Sequence, residues 1–445
     1  MGQNFDLNQD NRDIIEFGNK YYKEYINENS NLIKNIIFPR GNDTKYLNEN
    51  NICFLPNIND TIIFDGGISD SVKLTDKIVF IKMFIKTREV PNGYFDSLFT
   101  EAYIYSIIIP VLLKSYSPCF IKNISYSICP GLYNNLDEKY KKHLKAIYKN
   151  KSEESWKNEI IHIIINEAIK SDTINMYDYM DKIQEKIENK DFSWLSELKN
   201  ILFQTYWALM SLSKIGVRHN DLHLGNIFIE ELKTPIIEIY RFIYKGQLYV
   251  FRLIIRKRIK IFDWDRGSFV GVIRNYQLEE NDKNSVCKRG GGCNNINTGY
   301  DSYKFSCGML QYISSFRKKE KDIFLKITNY FYDFGIKSNS DFCSPIYNIN
   351  ENKEYKLDPK FELMFINEFK DYIIDSNIMI DPNIFIYNIP YINTKQEIIN
   401  IFELNQKQLI SQINTTELNQ NQSKINKREI NDLKQTNDLK QIKNN

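Results

Sequence analysis

Val217-Arg218-His219-Asn220-Asp221-Leu222-His223-Leu224-Gly225-Asn226-Ile227-Phe228-Ile229 is the stretch whose reading decides the fold. An acid is followed five residues later by a carboxamide, and an apolar run begins at once, the pattern of a loop feeding a strand. The Asp221 carboxylate can accept a proton from a hydroxyl nucleophile, and the Asn226 side-chain oxygen suits a hard cation such as Mg²⁺. Upstream, Ser193 to Gly216 carries Leu195, Leu198, Leu202, Tyr206 and Leu209 on one helical stripe, with Ser193 placed to cap it and Gly216 to end it. Downstream, Lys260-Ile261-Phe262-Asp263-Trp264-Asp265 reads as a short strand ending in a second acid. Between them, Ile236 to Tyr244 and Gln247 to Ile255 alternate around Lys245-Gly246, which predicts a β-hairpin inserted between the two acids.

Toward the N-terminus, Thr61-Ile62-Ile63-Phe64 predicts a strand, Asp65-Gly66-Gly67 a turn, and Ile78 to Phe84 a further strand. Lys82 lies inside that last apolar run, where a charge is costly unless paired. Glu101, in the helical stretch from Phe95 to Leu113, is its candidate partner. Two more strands are expected at Phe120 to Cys129 and Glu159 to Glu167, with a lysine- and tyrosine-rich helical insertion between them.

The loop at Asp221 and the acid at Asp263 resemble the H-R-D-L-x-x-x-N and D-F-G elements of the protein-kinase superfamily. The chain is similar to divergent members encoded by large cytoplasmic DNA viruses. The resemblance implies an α+β, bilobal protein-kinase-like fold: a small β-rich N-lobe and a larger helical C-lobe with an inserted β-hairpin. The expected divisions are an N-terminal helical extension (1–57), an N-lobe (58–169, insertion near 130–158), a C-lobe (170–404) and a polar tail (405–445).

The same resemblance implies the roles. Asp221 is the catalytic base, and Lys82, held by Glu101, grips the ATP phosphates. Asn226 and Asp263 bind Mg²⁺. Gly66, Gly67 and Val72 cover the nucleotide, and the backbone of Glu167, Ala168 and Ile169 contacts adenine. Asp301 resembles the acid that anchors the catalytic loop from below. The implied cofactors are ATP and Mg²⁺, and the implied partner is a protein substrate phosphorylated on Ser or Thr.

Several positions depart from the family. Aligned on Val72, the glycine loop keeps only Gly67, with Asp65 and Asp70 at the outer positions. Asn220 replaces the usual Arg, removing the cation that would pair with a phosphorylated activation loop. Asp265 replaces a glycine and reads as a surface acid. Arg266 to Thr298 has no A-P-E, and Cys287 and Cys293 flank Gly290-Gly291-Gly292 with no second pair to complete a zinc site. His223 stands where protein Ser/Thr kinases carry Lys, as in the H-x-D-x-H-x-x-N loops of aminoglycoside- and choline-kinase-like enzymes. A small-molecule phosphotransferase and an ATP-binding pseudokinase therefore remain open alternatives. Zinc hydrolysis through His219 and His223 is disfavoured, because Asn220 occupies the place of the general-base Glu.

The totals fit this reading. At 445 residues the net charge is +3, too small to signal nucleic acid or membrane. Apolar runs such as Ile107 to Leu113 are too short to span a bilayer. Seven cysteines without framework spacing, and a start lacking signal-peptide character, point to a reducing cytoplasm, of the host or packaged in a virion. Gly2 offers a myristoylation start, but Asp6 stands where Ser or Thr is needed.

Overall fold

A five-stranded antiparallel sheet forms first along the chain, in the order β1 (Ile62–Phe64), β2 (Val72–Thr75), β3 (Val79–Ile85), β5 (Ile160–Glu167), β4 (Asn123–Pro130). The computed structural model describes residues 47–48, 51–52, 62–64, 71–75, 79–85, 95–149, 151–157, 159–169, 172–269, 275–278, 300–313, 359–376 and 384–389. All lie in one compact unit closing at Ile398. The expected N-terminal helix, Gly66 and Gly67, the Cys287–Cys293 segment and the polar tail lie outside the described residues.

Alternation gives the sheet two apolar faces. Val72, Leu74, Ile81, Met83, Ile85, Ile161, Ile163 and Ile165 pack into one buried cluster with Leu132, Tyr140, Leu144, Tyr148 and Trp156. The latter come from the 130–158 segment, where helices α3 (Glu138–Ile147) and α4 (Glu153–Lys157) follow β4. The predicted insertion is therefore half of a core, and each fully buried aliphatic side chain there stabilises the fold by about 1.5–3 kcal/mol. On the opposite face, Lys82 and Phe84 turn toward the helix that starts at Ser97, where His162 stacks on Phe84 and Phe99 meets it edge-on. That helix runs as α1 (Ser97–Tyr103), a π turn (Ile104–Ile108) and α2 (Ile109–Ser115), with Asp96 accepting from Leu98 N–H at its start. By length and composition Ser97–Ser115 could cross a bilayer, but 65% of it is buried inside this fold and it carries Glu101.

After β5, α5 (Met176–Glu188) leads to α6 (Trp194–Lys214), which is buried on every side from Ile201 to Ser213. The expected Ser193 cap does not form. Ser193 already has helical φ and ψ, so its hydroxyl is not aimed back at the first turn, and Asp191 instead accepts the Ser193 N–H at 2.9 Å. Beyond the loop at Asp221, β6 (Ile227–Tyr244) and β7 (Gln247–Ile261) form the predicted hairpin, closed by Lys245 and Gly246 at φ 49° and 80°, the signature of a tight two-residue turn. It is longer than expected, pairing from Ile227↔Ile261 to Tyr244↔Gln247, with a register shift between Glu231 and Ile236 where Pro235 cannot donate to the ladder. Near the ribbon's middle, Arg258 grips Glu238 through two hydrogen bonds of 2.8 and 2.5 Å, and the Tyr240 hydroxyl donates to the same carboxylate. Strand β8 (Phe385–Asn388) adds to β6 in parallel.

Buried Gln204 of α6 fixes the ribbon's edge: its amide donates to Lys257 O at 2.8 Å and accepts from Ile259 N–H at 3.3 Å. Helix α7 (Tyr300–Ile313) packs on the Asp221 loop, and Tyr206 bonds Ser306 between α6 and α7 at 2.9 Å. Cys129 is disulfide-bonded, while buried Cys119 is a free thiol.

Candidate active site

Two strand pairings assemble the site. Ile227↔Ile261 closes the ribbon's base, so Phe262 N–H donates to Asn226 O at 3.2 Å, and Asp263 follows immediately. Val217–Arg218 pairs with Ser268–Phe269, bringing the far side of the Asp263 turn against the start of the Asp221 loop. The 42 residues from Asp221 to Asp263 are thus spanned by a ribbon that returns to its own root.

The loop itself is held from beneath. Asp301, at the start of α7, accepts the His219 and Asn220 N–H groups, each at 2.8 Å. Buried His219 bonds Phe262 O at 2.8 Å and packs on Trp264 with ring centroids 4.6 Å apart. Asn220 adopts φ 63°, which Asn tolerates better than most residues, and its amide donates to Arg266 O and Ser268 Oγ, both at 2.9 Å. Leu222 and Leu224 are buried anchors, and His223 Nδ1 accepts the Gly225 N–H at 3.1 Å. Burial holds His223 below the ordinary histidine value although Asp221 opposes this.

Lys82 and Glu101 form a buried ion pair, 1% and 3% exposed, and Lys82 Nζ also lies 3.9 Å from Asp263 Oδ1. Burial alone would lower the Lys82 value, but Glu101, Asp263 and Asp265 raise it above the ordinary lysine range. Burial likewise favours neutral Asp263, yet Lys82 foremost, with Lys73, holds its carboxyl below the usual value. Asp265 goes the other way: burial, then the neighbouring Asp263 charge, pushes it up. The expected surface acid is instead a half-buried member of the cluster.

The remaining predicted residues divide. Val72 is not brought to the site. Lys82 faces the Ser97 helix, where it pairs with Glu101, whereas Val72 and its cross-strand partner Met83 face the α3–α4 core. The residue directly opposite Lys82, and so on its face, is Lys73. Glu167 is also already engaged: its N–H donates to Lys122 O at 2.9 Å, and its carboxylate accepts from Lys122 N–H at 2.9 Å and Lys260 Nζ at 2.8 Å. Ala168 and Ile169, half-buried and outside the ladder, follow it.

Three residues escaped the sequence reading. Tyr105 lies four positions after Glu101, a same-face spacing that would have found it, and its hydroxyl accepts the Asp263 N–H at 3.2 Å. Lys73 needed only the β2–β3 register. Arg266, three residues after Asp263, places Nη1 3.2 Å from Asp221 Oδ2.

The donors fit a hard cation. Asp263 is held ionised with its side chain 28% exposed, and the Asn226 amide donates to Asp221 O at 2.9 Å, which fixes the carboxamide and turns Oδ1 away from that bond. Among the described residues no three His, Cys, Asp or Glu side chains form a metal cage. A cation here would complete its shell with phosphate and water oxygens, as Mg²⁺ prefers.

No known family and no curated protein matches the sequence. Among solved structures, the chain is similar to WaaP in complex with acyl carrier protein, at 10% identity and a TM-score of 0.29, covering 62% of this chain and 78% of that one. It is similar also to a Plasmodium kinase domain, at 13% identity and a TM-score of 0.27, covering 56% of this chain and 62% of that one.

Proposed function

We propose that this chain is an ATP- and Mg²⁺-dependent phosphotransferase of the protein-kinase type, with a protein Ser or Thr hydroxyl as acceptor. One observation carries the reading. Four separated segments converge so that a buried Lys82–Glu101 pair touches Asp263, while Asp263's turn is hydrogen-bonded to the loop holding Asn226 and Asp221.

In this reading the acceptor oxygen attacks the γ-phosphorus, the bond to the β,γ-bridging oxygen breaks, ADP leaves, and the hydroxyl proton passes to Asp221. Lys82, kept protonated by its three carboxylate neighbours, grips the phosphates. Asn226 and Asp263 would hold Mg²⁺, which supplies charge neutralisation along the β- and γ-phosphates. The Ala168–Ile169 backbone is left to meet adenine, since the Glu167 N–H is spent on Lys122.

The second reading, a small-molecule hydroxyl acceptor, draws on His223, whose Nδ1 accepts an N–H, at the position where protein kinases carry an ammonium. The test is ATP binding with and without Mg²⁺, then incubation with γ-labelled ATP beside a protein mixture and a panel of amino-alcohol and sugar acceptors. Label in protein, lost in Asp221→Asn, is the expected result. Label confined to small molecules establishes the second reading, and Mg²⁺-dependent binding without transfer leaves a pseudokinase.

A further inference from the structure

Phosphoryl transfer is catalysed mainly by placing positive charge and hydrogen-bond donors where negative charge spreads over the moving group. On the nucleotide side that charge is present in Lys82. On the acceptor side the usual supplier is missing: position 223 carries an imidazole whose Nδ1 is occupied by the Gly225 N–H. Among the described residues Arg266 is the one cation ion-paired with Asp221.

The chain holds this arginine deliberately. The Asn220 amide bonds the Arg266 carbonyl at 2.9 Å, and the Asn275 amide bonds the carbonyls on either side, Asp265 O at 2.7 Å and Gly267 O at 3.1 Å. Gly267 N–H closes a turn onto Trp264 O at 2.8 Å, and a Cβ at Gly267 would collide with Ile104 Cδ1. The backbone is therefore clamped, while the Arg266 side chain remains 31% exposed.

We propose that Arg266 is the acceptor-side cation of this enzyme, donating to the Asp221 carboxylate at rest and to the transferring phosphoryl group during turnover; this rests on the phosphotransferase reading above. An acceptor hydroxyl sits about 3 Å from its base, and phosphorus about 3–3.5 Å beyond it. A guanidinium 3.2 Å from Asp221 Oδ2 spans that interval with a small side-chain rotation. Its planar fork of five donors can hold a carboxylate oxygen and a phosphoryl oxygen together, which one ammonium does less well.

The test uses the full chain with Mg²⁺ and γ-labelled ATP, comparing wild type, Asp221→Asn, Arg266→Ala and Arg266→Lys for turnover and for ATP affinity. Turnover by wild type that is lost in Asp221→Asn establishes the underlying reading whatever Arg266 does. The proposal expects Arg266→Ala to lower kcat by about 10- to 100-fold with ATP affinity within about twofold of wild type, and Arg266→Lys to recover part of the loss. Unchanged kcat in Arg266→Ala overturns it. So does increased kcat, which would make Arg266 a plug on the base. If both variants lose ATP affinity, Arg266 is a structural strut and the proposal falls.

Discussion

The Tyr105 hydroxyl accepts the backbone N–H of Asp263 at 3.2 Å, and Asp263 is in the left-handed region at φ 67°. A non-glycine residue held there is strained, and such strain persists only where neighbours over-determine it. Tyr105 is one of those neighbours, delivered by the π turn at Ile104–Ile108. Tyr105→Phe keeps the ring and removes the acceptor. A hydrogen bond of about 0.5–1.5 kcal/mol translates into a roughly 2- to 10-fold rise in the Mg²⁺ concentration needed for half-maximal ATP binding, with metal-free binding unaltered. An unchanged Mg²⁺ requirement would mean that the turn is fixed without Tyr105.

The Lys82–Glu101 pair is buried, so its two halves are not independent. Lys82→Met leaves Glu101 in the interior without its partner, at a cost of about 3–5 kcal/mol. Adding Glu101→Gln removes the orphaned carboxyl, so the double variant should be more stable than Lys82→Met alone although it lacks the pair. Denaturant unfolding of the four proteins in the cycle measures this. Additive losses would show that the pair is not coupled.

The same pair sets a pH dependence. Burial pushes the Glu101 carboxyl from 4.5 up to about 7, against the pull of Lys82. Between those values the folded protein retains a proton that the unfolded chain has released, so the stability contributed through Glu101 falls as pH rises across the window and levels off above it. Relative to Glu101→Gln, which does not titrate, wild type should lose on the order of 1–3 kcal/mol between about pH 5 and about pH 8. A pH-independent difference would place the Glu101 carboxyl at its ordinary value.

The legible part of this molecule was whatever is written locally. Periodicity announced the strand through Lys82, helix α6 and the hairpin, and the Asp221-to-Asn226 spacing announced the loop. Register was not legible, because a one-residue slip moves every side chain to the other face. Matching Val72 to a family pattern therefore pointed to a residue that packs in the α3–α4 core, on the face opposite Lys82. The contacts of Tyr105, Asn220 and Arg266 were hidden for a different reason: each joins segments distant in sequence, through a hydroxyl or a backbone carbonyl that carries no pattern of its own. Asp265 was misjudged because exposure depends on what packs over a turn.

The observed register makes Lys73 a further candidate site residue. It lies directly opposite Lys82 on the same face of β2–β3 and acts electrostatically on Asp263. Two like charges facing each other across an antiparallel pair destabilise it, unless an anion lies between them. Lys73→Ala should weaken ATP binding by about 3- to 10-fold, most at low salt, while leaving the apo protein as stable or slightly more so. Equal ATP affinity, measured by titration at low and high ionic strength, would turn Lys73 into a solvated strand residue.

Asp301 offers the sharpest separation of architecture from chemistry. Its two carboxylate oxygens accept the His219 and Asn220 N–H groups at 2.8 Å each, and both of those residues are essentially buried. Asp301 touches none of the reacting groups, so its effect on turnover must pass through the position of the loop. Asp301→Ala strands two buried donors, each costing about 1–3 kcal/mol, and Asn220 must then keep its left-handed backbone on its side-chain contacts alone. Asp301→Asn retains one acceptor oxygen and replaces the other with a donor pointed at an N–H, so it should fall between wild type and Ala in stability. Because Asn220 also holds the Arg266 carbonyl, loosening it displaces both Asp221 and Arg266. The expected outcome is a kcat loss in Asp301→Asn of about tenfold or more, with ATP affinity close to wild type, since Lys82 and Asp263 are held by other contacts. A variant that loses ATP affinity in proportion to kcat would instead show that the Asp301 anchor supports the whole site rather than its acceptor half.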